Sequence, residues 1–326
     1  MSPMNVNLGQ LKAVVDELRS FDPQASQGEP VRFSRLVDEF PSRLNRKTPS
    51  VPVVGMANFS EMAYCGYKPW HHAVGTEEVR IAAVQRALDR GTRVHERKVT
   101  VELKEAAKLP RATARHLRDL RIDIYRLPEL PARIRVGRLT YASRIERAGR
   151  QSGDLVITEI KTGNYVFAPN HFLQVWGYAA SAPGSLLHWT RRAFTARSVL
   201  WALEYPTRGN TYGPYPFTKK QLHLLRRAMS FHEQVYLMGR SGSREPEMGL
   251  QGPSERKCPP CAFSHACRWR YRETNQATLT VALDGGPRVS EGQEALSQTS
   301  PSPSYRSASA LPPGPSPAAR PPEVER

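Results

Sequence analysis

Acidic residues are scarce in this chain. Its 326 residues include 30 Asp and Glu against 47 Lys and Arg, a formal net charge of +17. Long apolar runs are missing too. None approaches the roughly 18 consecutive residues that a membrane-spanning helix needs, so the membrane is excluded as a partner. The N-terminus, MSPMNVNLGQLKAVVDELRS, mixes charge into an amphipathic pattern and lacks the continuous apolar core of a signal peptide. Only four cysteines are present, too few for a secreted disulfide scaffold. These absences together place the protein in the cytoplasm, where such cysteines serve as metal ligands or buried thiols.

The last stretch is poor in aromatics and rich in proline. Residues 274–326 hold nine of the 28 prolines, with runs such as SPSPSYRSASALPPGPSPAARPP. Such a segment buries too little apolar surface to offset its ordering entropy, and residues 273–326 are expected to be a disordered tail. Only four basic and five acidic residues fall after position 273, so the first 273 residues carry a net charge of +18. The positive field belongs to the part that folds, where it attracts a polyanion.

Residues 1–50 read as a basic, helical N-terminal extension, and 51–272 as the main domain. In NFSE, Asn58 is placed to cap a helix with Glu61 reaching back. The segment TEEVRIAAVQRALDRGTRVHERKVTVELKEAA reads as a long helix interrupted or bent at Gly91. RIRVGRLTYASRIERA and DLVITEIKTGNYVF read as two strands joined at GRQSG. A helix capped by Asn170 follows, then strands in SVLWALEYP and TYGPYPF. Thr218 and Gln221 form a capping box for a further helix. Strands bracketed by helices indicate an α/β domain, a mixed sheet with helices on its flanks.

The cysteines are clustered. Cys258, Cys261 and Cys267 stand in CPPCAFSHAC, and Cys65 lies 193 positions before the first of them. Four thiolates suit an iron–sulfur cluster or zinc, and His265, His71 or His72 are possible replacements for a thiolate in a zinc site. Spacing alone does not choose between the metals.

GDLVITEIKTGN carries a second constellation. Side chains alternate along a strand, so Glu159 and Lys161 face the same side. A carboxylate beside an ammonium can hold Mg²⁺ or Mn²⁺ while the lysine orients water. Gln174 and Tyr178, four apart on the next helix, share one face. His95, in GTRVHE, offers an imidazole to the same metal.

G-x₃-H-E, then E-I-K-T-G, then Q-V-W-G-Y, then C-x₂-C-x₅-C with an isolated early cysteine, resembles one family in that order. It is similar to the RecB-type PD-(D/E)XK nucleases with an iron–sulfur staple, above all their CRISPR-associated exonuclease branch, with the AddB nuclease domain and exonuclease V as relatives. NFSEMAYCGYKPW is similar to that family's first-cysteine motif. The resemblance spans residues 55–272. It implies a restriction-endonuclease-like core and a [4Fe–4S] cluster on Cys65, Cys258, Cys261 and Cys267. It also implies a divalent metal on His95, Glu159 and the backbone carbonyl of Ile160. Lys161 would be catalytic, with Gln174 and Tyr178 in support. The implied activity is metal-dependent trimming of DNA, at single-stranded ends, beside a CRISPR integrase in spacer acquisition or in a repair complex.

One position departs from the family pattern. Thr140 stands where the family has a metal-binding Asp, and a neutral hydroxyl is a poor ligand for a hard cation. Glu146 shares a face with Thr140 but lies roughly 20 Å along the strand, and Asp154 points to the opposite face from Glu159. The alternative expectation is therefore a catalytically degenerate DNA-binding module on the same fold.

Overall fold

The computed structural model describes residues 8–25, 28–41, 51–108, 125–163, 166–189, 194–242 and 257–268, except the side chains of 8–12, 95, 98–99, 102–108, 125–129 and 189. All of these belong to one compact unit, Met1–Thr274. The tail expected at 273–326 lies outside the described residues.

Among the described residues, six strands form one mixed sheet: β1 (Val53–Gly55), β2 (Tyr125–Val136), β3 (Leu139–Gln151), β4 (Asp154–Ile160), β5 (Val199–Tyr205) and β6 (Asn210–Pro216). Thr140 pairs with both Arg135 and Val53, and Arg147 with both Pro128 and Thr158. Strand β2 thus takes one edge of β3, while β1 and β4 share the other. Strands β4 and β5 are parallel, and β6 closes the order antiparallel to β5.

The segment 133–148, read from sequence as one strand, is divided by a tight turn. Gly137 adopts φ +56, and Arg138 follows before the chain reverses. A left-handed residue here suits glycine because it has no Cβ to clash. The reversal pairs β2 with β3 and fixes which residues face the core. Leu130, Ala132 and Ile134 are buried, opposite Ile145, Ser143 and Tyr141.

Among the described residues, seven helices flank the sheet: α1 (Leu8–Arg19), α2 (Phe33–Glu39), α3 (Met56–Ser60), α4 (Lys68–Val74), α5 (Ala82–Lys108), α6 (Pro169–Trp189) and α7 (Lys219–Arg240). Helix α6 is the central one. Phe172, Leu173, Val175, Trp176, Ala179, Ala180 and Ala182 are buried, so it is apolar nearly all round, as a helix enclosed by other elements must be. Its rings meet Trp201 of β5 and Phe21, whose centroid lies 5.0 Å from both Phe172 and Trp176. Phe21 follows α1, and Val14, Val15 and Leu18 of α1 join the same core. The N-terminal segment therefore packs into the core of the domain.

The capping box of α7 is present, with the Gln221 N–H donating to Thr218 Oγ1 and the Thr218 N–H to Gln221 Oε1. Asn58 caps nothing, because α3 begins earlier, at Met56 after Gly55. Glu61 instead accepts from Lys68 Nζ at 2.9 Å. The mixed α/β sheet with flanking helices agrees with the sequence reading. The four-cysteine metal staple does not: among the described residues no three His, Cys, Asp or Glu side chains are grouped to hold a metal ion.

Candidate nucleic-acid interface

Glu159 and Lys161 meet where β4 ends. Lys161 Nζ lies 2.6 Å from Glu159 Oε1, and the glutamate is fully buried. Lys161 also donates to Gln174 Oε1 at 2.7 Å, and Gln174 Nε2 donates to the Tyr178 hydroxyl at 2.7 Å. Strand alternation and the four-residue helical spacing thus assemble one chain of polar groups from β4 to α6. Inside a protein such a pair persists because losing one partner leaves the other charge buried. Beside it, burial and the charge of Lys161 hold the His171 imidazole at a pKa of about 3, so it is neutral. His171 Nδ1 lies 3.1 Å from the Tyr205 hydroxyl, which also accepts from the Phe167 N–H.

Thr140 is absent from this cluster. It lies on β3 between Arg135 and Val53, six residues before Glu146. The carboxylate that does approach is Glu146, whose side chain accepts from the Ile160 N–H. Sequence reasoning set Glu146 aside for its distance from Thr140. The relevant neighbour is across the hairpin, since the Arg147–Thr158 pairing puts Glu146 beside Glu159. Asp154 is engaged elsewhere, accepting from Ser198 and Arg197 at the start of β4. The side chain of His95 lies outside the described residues.

Helix α5 walls an open cleft of about 830 Å³ above the end of β4. Val84, Leu88, Gly91 and Val94 line one side, and Glu146, Ile160, Lys161 and Thr162 the other. The helix runs through Gly91 without the interruption that was one of the two expectations there. A Cβ at position 91 would stand 2.7 Å from Thr162 Oγ1, so glycine here serves close approach.

Along α5, Arg86, Arg90, Arg93 and Arg97 are all exposed. Steps of four, three and four residues keep them within one narrow sector of the helix, a ridge about 16 Å long. Asp89 and Glu96 fall to one side of it, and Asp89 accepts from Gln85. None of the four arginines is in an ion pair among the described residues. The four-three-four spacing of these arginines was the available signal.

The two cysteine-bearing segments meet through polar and aromatic contacts. The Tyr64 hydroxyl donates to the Lys257 carbonyl at 2.8 Å, and Lys257 Nζ donates to the Tyr64 carbonyl at 3.2 Å. Phe263 stacks on His71, with ring centroids 5.0 Å apart. The Val79 N–H donates to the Ala262 carbonyl. Burial and the nearby Cys261 push the Cys65 thiol up to about 11, despite a backbone hydrogen bond at Tyr67 that lowers it.

No known protein family matches the chain, and no curated protein matches it. Among solved structures, one titled "Crystal structure of SSO0001" aligns with 14% identity over 74% of this chain and 95% of its own, at a TM-score of 0.31. That likeness carries no argument. The resemblance to RecB-type nucleases, and the restriction-endonuclease-like core it implied, are therefore unsupported. The expected [4Fe–4S] cluster, its zinc alternative and the Mg²⁺ or Mn²⁺ centre are corrected for want of a donor group among the described residues. With them go the metal-dependent exonuclease activity and the roles in spacer acquisition and repair. Among the described residues, no helix is long and apolar enough to cross a membrane.

Proposed function

We propose that the chain is a non-catalytic DNA-binding module that contacts phosphates through the arginine ridge of α5 and the cleft beneath it. The ridge is the observation that carries this reading. Four like charges in one sector repel one another, and a polyanion relieves that repulsion by replacing condensed counterions with guanidinium groups. The net charge of +18 on residues 1–273 supplies the wider field that steers the encounter. The buried Glu159–Lys161 pair fits a structural part: it ties β4 to α6 and sets the floor on which α5 rests.

The test is fluorescence anisotropy with a labelled oligonucleotide. Changing Arg86, Arg90, Arg93 and Arg97 to Ala should weaken binding more than tenfold. The labelled strand should stay intact on long incubation with excess protein and Mg²⁺ or Mn²⁺. Degradation that copurifies with the protein and disappears in Glu159→Gln would contradict the reading.

A further inference from the structure

A second cationic surface lies on the outer face of the β2–β3 ribbon. Leu130, Ala132 and Ile134 turn inward, so Pro131, Arg133 and Arg135 turn outward. Opposite them, in the same order, stand Arg144, Ala142 and Thr140. These six outward positions hold three arginines and no carboxylate. Arg133 and Arg144 are exposed, and Arg135 is half-buried. Arg135 Nε donates to the Gly137 carbonyl, which fixes the stem and leaves its charge uncompensated. None of the three is in an ion pair among the described residues. The next arginine, Arg138, is different: it lies 3.5 Å from Glu233.

The geometry of this patch is two-dimensional. Arg133 and Arg135 are two residues apart on one strand, roughly 7 Å. Arg144 lies on the neighbouring strand as the diagonal neighbour of Arg133, roughly 7–8 Å away. Like charges so placed repel one another across the exposed ribbon. The α5 ridge is a line that one strand of phosphates follows, whereas this patch is broad enough to touch phosphates around a groove.

We propose that the outer face of β2–β3 binds the backbone of double-stranded DNA, so that the protein engages a duplex flank through this patch and an adjoining strand through the α5 ridge. The proposal rests on the DNA-binding reading above and adds the form of DNA to it. Recognition would be of phosphate charge, which positions a duplex without reading its sequence.

The experiment compares two probes, a single-stranded oligonucleotide and a hairpin duplex carrying the same strand as an overhang. The protein is the full chain with Arg133, Arg135 and Arg144 changed to Ala. All three changes are at the surface, and far-UV circular dichroism with a thermal melt checks that the fold is kept. The triple variant should bind the hairpin at least tenfold more weakly, and its log–log salt slope should fall by about 2.7, at about 0.9 for each duplex phosphate contact. Binding of the single strand should be unchanged. The corresponding triple Lys variant should restore most of the slope. Hairpin binding that is unaltered in the triple variant, yet lost when the α5 ridge is removed, would overturn the duplex proposal and leave the DNA-binding reading standing. A wild-type chain that binds neither probe would overturn both.

Discussion

Gly91 and Thr162 are in contact: a single added carbon on Gly91 would stand 2.7 Å from Thr162 Oγ1. This approach seats α5 against the end of β4 and sets where its arginine ridge stands above the cleft. It also means that the middle of a long helix is occupied by its second-worst residue, at a local cost of about 1 kcal/mol relative to alanine.

Gly91→Ala is therefore expected to give no net gain in stability, because the clash removes what helix propensity adds. The double variant Gly91→Ala/Thr162→Ala should be more stable than Thr162→Ala by about 1 kcal/mol, since the obstruction is gone. Chemical denaturation of the four proteins in this cycle measures the coupling. Gly91→Leu should push α5 outward and weaken DNA binding.

Lys161→Met strands the Glu159 carboxylate in the interior, which typically costs about 3–5 kcal/mol. The double change Glu159→Gln/Lys161→Met removes both charges and should recover most of that loss. Urea unfolding of the two variants decides it. If the single and double variants lose equally, the pair contributes packing alone.

Stability should fall steeply in mild acid. Burial holds His71 at about 4 and His171 and His232 at about 3, against an ordinary value of 6.5. Each folded pKa is depressed, so below pH 6.5 the unfolded chain binds protons that the folded chain refuses. Stability is full above pH 6.5 and declines as pH drops toward 4, by up to about 1.4 kcal/mol per histidine per pH unit. Burial raises the Glu61 pKa, but His72 and Lys68 outweigh it and hold the carboxyl at about 2. Its contribution is present above pH 4.5 and is lost as pH falls through about 2. Urea midpoints between pH 7 and 5 should drop markedly, and His232→Gln should remove about a third of that slope.

Local features were legible in the sequence. The Thr218–Gln221 cap needs only neighbouring residues, and the shared side of Glu159 and Lys161 follows from strand alternation. Features set by tertiary contact were not. The closeness of Glu146 to Glu159 depends on the β3–β4 pairing. The outward arginines of the ribbon appear only once Gly137 is seen to reverse the chain there. Gly91 reads as an interruption or bend until Thr162 is known to lie beneath it, and Phe21 reads as part of an extension until Trp176 is found against it. The cysteine spacing implied a metal, whereas the contacts that join those segments are made by Tyr64, Lys257, His71 and Phe263.

The most direct measurement is the salt dependence of DNA binding for the wild-type chain and for the variant with Ala at 86, 90, 93 and 97. Contacts to phosphates release counterions, so affinity should fall linearly on a log–log plot. Removing the ridge should make the slope shallower by about 2.8 on a single strand, at about 0.7 for each contact. A wild-type slope that survives those four substitutions unchanged would contradict the ridge as the DNA-binding surface.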